Sequence, residues 1–512
     1  MIRKLQEIVR RFAASPTGMT ALAGYAAMVS SMVVGLFSVP MALQFLSKSE
    51  FGLWNIVGQS LGYLLLLDFG VTSSASRMLV GPLRAGNERE LSSWWTVLVT
   101  VLVTQAVMVL GIGWFFRELI LEHFFDVPPD LYPSAEALWG GMILINAIQL
   151  PFRAYSGVLH CQNRWYIMHV TSIISAWVNL AVFLGLLYAG FRTSAYVVAS
   201  ALSVGCNVVL WWVAIRKSNV RLRIRPSLFS KEKLRELFGF SGGVFLVSLA
   251  AQVTNMSQNI IIGKVLGLGA VAAFVVSCKS STIALQLTRR AFDAYTPRWM
   301  QLYVDGNPQI ICQQWRRVMS WFIPVGIIAA VGVLILNRSF SMKYGGWDNH
   351  EGRLFDLMRS SWILLQTFLF TLYFIFPLAS KVKAWAIVNL VDGVVQLILT
   401  VLFTRWMGGA GLMLGSMLGS ALTSLPFMVI RGPETLGVSR ADLLDGIGKQ
   451  YALGFLAIAV CYGFLSLPGG SSPGWWPTPI EITLATGLVA TCVVLLARKG
   501  SGIFQSAKKM EV

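Results

Sequence analysis

Long apolar stretches fill most of the chain and alternate with short turn-forming or basic segments. A helix crossing the hydrocarbon core needs about 20 predominantly apolar residues. A window of that length gives fourteen candidate helices, at 19–46, 51–80, 93–116, 135–158, 166–190, 194–215, 242–263, 268–293, 316–337, 356–379, 384–404, 410–430, 448–466 and 480–497. The turn-rich PGGSSPGWWPTP, Pro468 to Pro479, separates the last pair. The pattern predicts an all-α polytopic membrane protein, with two six-helix lobes followed by two C-terminal helices.

Polar positions within these spans are few and patterned. The stretch Phe51 to Arg77 is apolar enough for a bilayer, yet carries Asn55, Gln59, Asp68 and Arg77. Such groups are costly at membrane depth and face a cavity or a protein interior when they occur, which points to transport rather than anchoring. In an unbroken helix, at about 100° per residue, Gln59 and Arg77 share a face and Asp68 lies opposite them. Gln59 and Arg77 are thus cavity candidates, whereas Asp68 braces the helix bundle or titrates as a coupling group.

Composition agrees with a bilayer: of 512 residues 55% are hydrophobic and 12% charged, with mean hydropathy +0.66, where soluble domains carry about 25% charged residues. The 18 Trp and 30 Phe suit interfacial aromatic belts. Six scattered Cys and four isolated His leave neither a metal site nor a disulfide framework, and no cofactor is expected. The absence of a GxxxxGK[ST] motif removes ATP hydrolysis as a power source.

The net charge of +18 reads as a topology signal. With the N-terminus in the cytoplasm, cytoplasmic segments hold 31 of the 41 Lys and Arg, against 9 outside. The largest cluster, Arg216 to Arg235, also suits contact with anionic lipids better than with nucleic acid. Arg338, Lys343, Arg353 and Arg359 go against the bias, in an expected outward loop. Residues 1–18 read as a basic interfacial segment rather than a cleaved signal. The expected organisation is 19–215 as the first lobe, 216–241 as a cytoplasmic linker, 242–430 as the second lobe and 431–512 as two further spans and a tail. Both termini then lie in the cytoplasm of a plasma (inner) membrane.

The halves echo each other. Leu46 to Trp54 aligns with Leu266 to Phe274 at an offset of 220 residues, and Val178-Asn179-Leu180 aligns with Val395-Gln396-Leu397 at 217. Transporters place substrate between such repeats. FGLW at Phe51, YLLLLDFG at Tyr63, Arg77 and the segment Asn259 to Leu302 together resemble the bacterial polysaccharide transporters. These are the oligosaccharide-lipid (O-antigen-type) flippases of the multidrug/oligosaccharidyl-lipid/polysaccharide exporter superfamily. The resemblance implies movement of an undecaprenyl-pyrophosphate-linked glycan between leaflets by alternating access, for polysaccharide or lipopolysaccharide export, without covalent chemistry. A polysaccharide polymerase or glycosyltransferases are the implied partners.

Helical spacing sorts the remaining candidates. Lys279, Gln286, Arg290 and Asp293 share one stripe, with Arg290 about 16 Å along the axis from Lys279. Such a cationic track suits pyrophosphate, although Arg289 and Arg290 also fit cation snorkelling at a helix end. Gln252, Asn255 and Asn259 repeat the spacing of Asn389, Asp392 and Gln396. These stripes either bind sugar hydroxyls or join helices. Asp392, near mid-span, is a charge partner for Lys279 or a coupling group. Pro40, Pro151, Pro324, Pro377 and Pro426 mark bends or ends.

Three other functions compete. A drug or organic-cation antiporter of the same superfamily favours an acidic cavity, and a lipid II flippase fits the same loose motifs. A membrane glycosyltransferase or ligase requires a working loop, for which Asn337 to Phe355, with Trp347, Asp348, His350, Glu351 and Arg353, is the best available.

Overall fold

The computed structural model describes residues 16–218, 220–293, 295, 299, 301–303, 305–346, 349–378, 382–444, 447–466, 481–484 and 487. The longer elements among them are α1 (Pro16–Phe45), α2 (Lys48–Leu64), α3 (Val71–Arg84), α4 (Glu88–Phe115), α5 (Tyr132–Phe152), α6 (Ala154–Cys161), α7 (Trp165–Tyr188) and α8 (Ser194–Arg216). They continue with α9 (Lys231–Leu266), α10 (Leu268–Asp293), α11 (Pro308–Gly345), α12 (Arg353–Tyr373), α13 (Ile375–Leu378), α14 (Val382–Leu422), α15 (Ser424–Leu436), α16 (Arg440–Leu444) and α17 (Ile447–Leu465). The first thirteen expected spans fall largely on described helix, the second of them divided by a break at Leu65–Gly70. The last, 480–497, is described only at 481–484 and 487, and residues 1–15 of the N-terminal segment lie outside the described residues.

Nine helical stretches among the described residues are long and apolar enough to cross a membrane. In the most apolar window of the first, mean hydropathy is 1.9 and only 11% of residues are buried. Phe115 (79% exposed) and Trp406 (71%) show the same uncovered apolar surface. Soluble monomers do not leave such patches open to water. The protein is an all-α, multi-pass membrane protein.

The chain divides into two compact units, Met1–Val271 and Ala272–Val512. In the first, α1 packs on α7, α7 on α8, α4 on α5, α3 on α6 and α9 on α2. Its core gathers Val71 and Leu79 of α3, Trp94, Trp95 and Leu98 of α4, and Val158 of α6. In the second, α11 packs on α12 and α17, and α12 on α14. There Phe292 lies 5.2 Å from Trp299 and 5.3 Å from Phe322, ring to ring.

Two features explain how spans meet so closely. α14 is a helix pair, broken at Gly408 (φ 60°, ψ −141°). After the break Gly411, Gly415 and Gly419 stand four apart, and a Cβ at Gly411 would lie 2.0 Å from the Phe403 carbonyl oxygen. Small residues at this spacing let membrane helices approach backbone to backbone. The internal repeat is also visible in the helix starts. α2 and α10 begin 220 residues apart, at Lys48 and Leu268. The Ser203 hydroxyl donates to the Ser175 carbonyl in the first unit. At a 217-residue offset, Ser420 donates to Asp392 in the second.

The expected loop Asn337–Phe355 shrinks. α11 runs on to Gly345 and α12 starts at Arg353, which leaves only residues 346–352 between them. Asn337 and Phe355 are fully buried, and Trp347 and Asp348 lie outside the described residues.

Candidate functional site

The second span is not one helix. A 3-10 turn, Leu65–Asp68, is followed by Phe69 (φ 49°) and Gly70 (φ 75°) before α3 begins. Glycine takes this left-handed conformation without steric cost. Asp68 then caps α3: its Oδ1 accepts from the Thr72 backbone N–H and hydroxyl, each at 3.1 Å. The Gln105 amide donates to the Asp68 carbonyl at 3.0 Å, covering backbone freed by the break. The shared face that an unbroken helix gives Gln59 and Arg77 therefore does not exist. Arg77 stands exposed on α3 and Gln59 is half-buried on α2. Arg153, just past Pro151 at the end of α5, acts electrostatically on Asp68.

The amide stripe of α9 is engaged with α2. The Asn259 backbone N–H donates to Gln59 Oε1 at 3.2 Å, and the Gln252 amide donates to the Gly62 carbonyl at 2.9 Å. The hydroxyls of Tyr63 and Ser257 meet at 2.6 Å. Gln59 and Asn259 are thus brought together in a polar seam that joins two helices. The Asn255 side chain lies outside the described residues.

In the second unit, α10 has two chemically distinct faces. Phe274, Ser277, Ser281, Leu285, Thr288 and Phe292 are buried and, at about 100° per residue, cluster on one side. Lys279, Thr282, Gln286 and Arg290 fall on another, with Lys279 half-buried and the other three exposed. Lys279 has no hydrogen bond or ion pair to any described residue. Arg289, one position off the stripe, lies 5.2 Å from the centre of the Phe370 ring. The Asp293 side chain lies outside the described residues.

A buried polar network anchors the opposite face. Ser280 donates to Asn337 Oδ1 (2.5 Å), and Asn337 donates to Asp356 Oδ1 (2.6 Å). His350 Nε2 meets Asp356 Oδ2 at 2.9 Å. Because the Gly352 N–H donates to His350 Nδ1 at 3.3 Å, the ring proton sits on Nε2 and points at the carboxylate. Arg359, 4% exposed, donates to Ser281 at 2.7 Å and stacks over Trp362. Glu351 is taken up as well. Its backbone N–H donates to Ser277 at 3.0 Å, and its carboxylate accepts from the Gly409 N–H, past the α14 break. Burial pushes the Glu351 carboxyl above the usual carboxylate range, against the opposing pull of that bond and of His350. Arg353 pairs with Glu481, which also accepts from Ser339. Arg353 and Arg359, which go against the charge bias along the sequence, thus serve packing inside the unit.

The structure does not bring Lys279 to Asp392. Asp392, 3% exposed, accepts from Thr423 and Ser424 at 2.7 Å each and from Ser420 at 3.4 Å. Gln396 donates to Ser420, while the Asn389 amide donates to Trp385 of its own helix. The roles of Arg153 and of Glu50, whose carboxylate binds Arg192 at 2.5 Å, are settled between helices far apart in sequence, and those of Asn337 and Asp356 between consecutive helices. Among them, only the ionisable type at membrane depth is a signal within the chain. Among the described residues no group of three His, Cys, Asp or Glu could hold a metal.

Chemically, the α10 stripe is a polar and cationic surface held in register from behind. Residues 45–296 match a sequence family described as "Polysaccharide biosynthesis protein". No curated protein matches the sequence significantly. Among solved structures, the lipid II flippase MurJ in an inward closed conformation is similar at TM-score 0.63 and 14% identity, over 93% of this chain and 99% of that one. An inward-facing MATE-family multidrug resistance transporter of the MOP superfamily follows at TM-score 0.62 and 12% identity, over 81% of this chain and 98% of that one. A MOP superfamily transporter from Pyrococcus furiosus, with a binding pocket described as of reverse polarity, is similar at TM-score 0.51 and 13% identity, over 90% and 99%. These solved neighbours are described as transporters and flippases. Over residues 45–296 the chain matches a polysaccharide biosynthesis family by sequence, and over most of its length it is similar in fold to solved flippases and transporters such as these.

Proposed function

We propose that the protein is a flippase that carries an undecaprenyl-pyrophosphate-linked oligosaccharide from the cytoplasmic to the outer leaflet of the inner membrane, by alternating access. The observation that carries this reading is the α10 stripe. Lys279 projects from mid-span without a partner among the described residues, and Arg290 follows along the same face. A transporter of cations is poorly served by such a face, whereas a pyrophosphate takes charge-assisted hydrogen bonds from it. Gln286 adds a neutral donor and acceptor for sugar hydroxyls, and Arg77 is a further phosphate ligand on α3. Gln59, Asn255, Asn259 and Asn389 contribute to glycan contact where transport opens the seam that now occupies Gln59 and Asn259. The two-lobed repeat, 19–215 and 242–430, supplies the rocking halves. The half-buried Asp68 and the buried Asp392, carboxylates bonded by hydroxyls, are the candidates for coupling to an ion gradient. Both termini lie in the cytoplasm on this reading. The glycan serves surface polysaccharide or O-antigen assembly, with a polymerase and glycosyltransferases acting on either side of the step.

The similarity to a lipid II flippase along nearly the whole chain favours one alternative cargo, the peptidoglycan precursor, whose pyrophosphate head would use the same stripe. Deletion of the gene followed by analysis of lipid-linked intermediates tests both readings. Oligosaccharide-lipid accumulating on the cytoplasmic leaflet supports the proposal, and lipid II accumulating there supports the alternative. Unchanged glycolipids with altered drug tolerance would refute both.

A further inference from the structure

The segment between α8 and α9 is an extended strap laid across α4. The Arg225 backbone N–H donates to the Thr96 hydroxyl at 3.0 Å, and the Ser93 hydroxyl donates to the Leu228 carbonyl at 2.8 Å. Pro226–Leu228 form a single 3-10 turn before Ser230 caps α9. Val220 and Leu222 pack against the core around Trp94 and Leu98. In an extended chain alternate side chains point to opposite sides. Arg221, Arg223 and Arg225 are accordingly exposed, at intervals of roughly 7 Å. None of the three guanidiniums has a hydrogen bond or ion pair to a described residue. The nearby acids are engaged elsewhere: Glu90 and Glu236 both act on Lys233, which also lies over the Trp94 ring at 5.1 Å. Ile224, which the alternation would bury, is 58% exposed, and Phe229 is 38% exposed.

We propose that this strap is a docking surface for anionic glycerophospholipid headgroups, with the three guanidiniums binding lipid phosphates and Ile224 and Phe229 entering the interface beside them. Charge complementarity selects the anionic lipid. The uncovered apolar side chains select a bilayer over a soluble polyanion, because they would gain nothing from nucleic acid phosphates. The backbone bonds to Ser93 and Thr96 hold the arginine row in place before lipid arrives, which lowers the ordering cost of binding. Unlike the reading of α10, this inference concerns a surface of the first unit alone and stands whatever the cargo.

The test is native mass spectrometry of the full chain in detergent, titrated with phosphatidylglycerol or with phosphatidylcholine. A basic residue at an anionic surface contributes about a fivefold preference, so Arg221→Gln, Arg223→Gln and Arg225→Gln together should weaken phosphatidylglycerol retention on the order of a hundredfold. Phosphatidylcholine retention should not change, and the corresponding triple Lys variant should keep most of the preference. Arg223→Gln alone should show a single step of about fivefold, and serves where the triple variant does not fold. Equal retention of the two lipids by the native chain would overturn the proposal. So would an Arg223→Gln or triple Gln variant with unchanged phosphatidylglycerol preference, or displacement of the lipid by an oligonucleotide of equal charge.

Discussion

Replacing Asp356 by Ala removes the acceptor on which the second unit's buried network converges. Asp356 is fully buried, and its two oxygens accept from Asn337 at 2.6 Å and from His350 at 2.9 Å. A hydrogen bond to a charged group contributes about 1.5–3 kcal/mol, and a buried donor left without an acceptor keeps its desolvation cost. Losing both should cost about 3–6 kcal/mol. Asp356→Asn keeps one acceptor oxygen but aims an amide at the other donor, so it should cost about half as much. His350→Phe added to Asp356→Ala removes one orphaned donor, and the double variant should be more stable than additivity predicts. Denaturant unfolding of the detergent-solubilised chain, followed by tryptophan fluorescence, reads these differences. Asp356→Ala within about 1 kcal/mol of the native chain would refute the network's role.

Other outcomes follow from single positions. Gly415→Ala sets a Cβ 2.6 Å from the Thr400 backbone nitrogen, which cannot yield, and should destabilise by about 1–3 kcal/mol. Gly185→Ala, with nothing within 4 Å, should be neutral or stabilising by up to about 1 kcal/mol in the same unfolding assay. Burial raises the Glu351 carboxyl above its ordinary 4.5, so the folded state holds its proton more tightly than the unfolded state. Stability should therefore fall as pH rises from the unfolded value through the raised folded value, then level off. Glu351→Gln should remove that part of the slope, and an unchanged melting profile between acid and neutral pH would contradict it. Arg290→Gln should weaken pyrophosphate-lipid binding while leaving the melting temperature within a degree or two, because the side chain is exposed.

Much of the fold is legible in the sequence, because bilayer thickness fixes span length and helical period fixes faces. The starts of α2 and α10 keep the offset that a short motif alignment gives. The two-faced character of α10 follows from spacing alone. The break at Phe69–Gly70 does not, since an apolar run with one glycine also fits an unbroken helix. What decides it is Asp68, whose side chain prefers to cap α3. Partners are the least legible part. Arg359 looks like a stray loop charge until α12 places it against Ser281, 78 residues away. Glu351 and His350 look like available acid–base groups until the shortened loop commits both to backbone and carboxylate partners. Local periodicity encodes which face a residue occupies, but not which distant helix covers that face.

On the proposed function, the α10 stripe carries a pyrophosphate-linked glycan across the membrane. The direct measurement uses vesicles containing the purified chain and a fluorescent polyprenyl-pyrophosphate oligosaccharide, with a reducing quencher added outside. The native chain should expose the inner-leaflet pool to quenching, whereas Lys279→Met, folded and equally abundant, should leave that pool protected. Quenching no faster than in protein-free vesicles, or undiminished in Lys279→Met, would contradict the account.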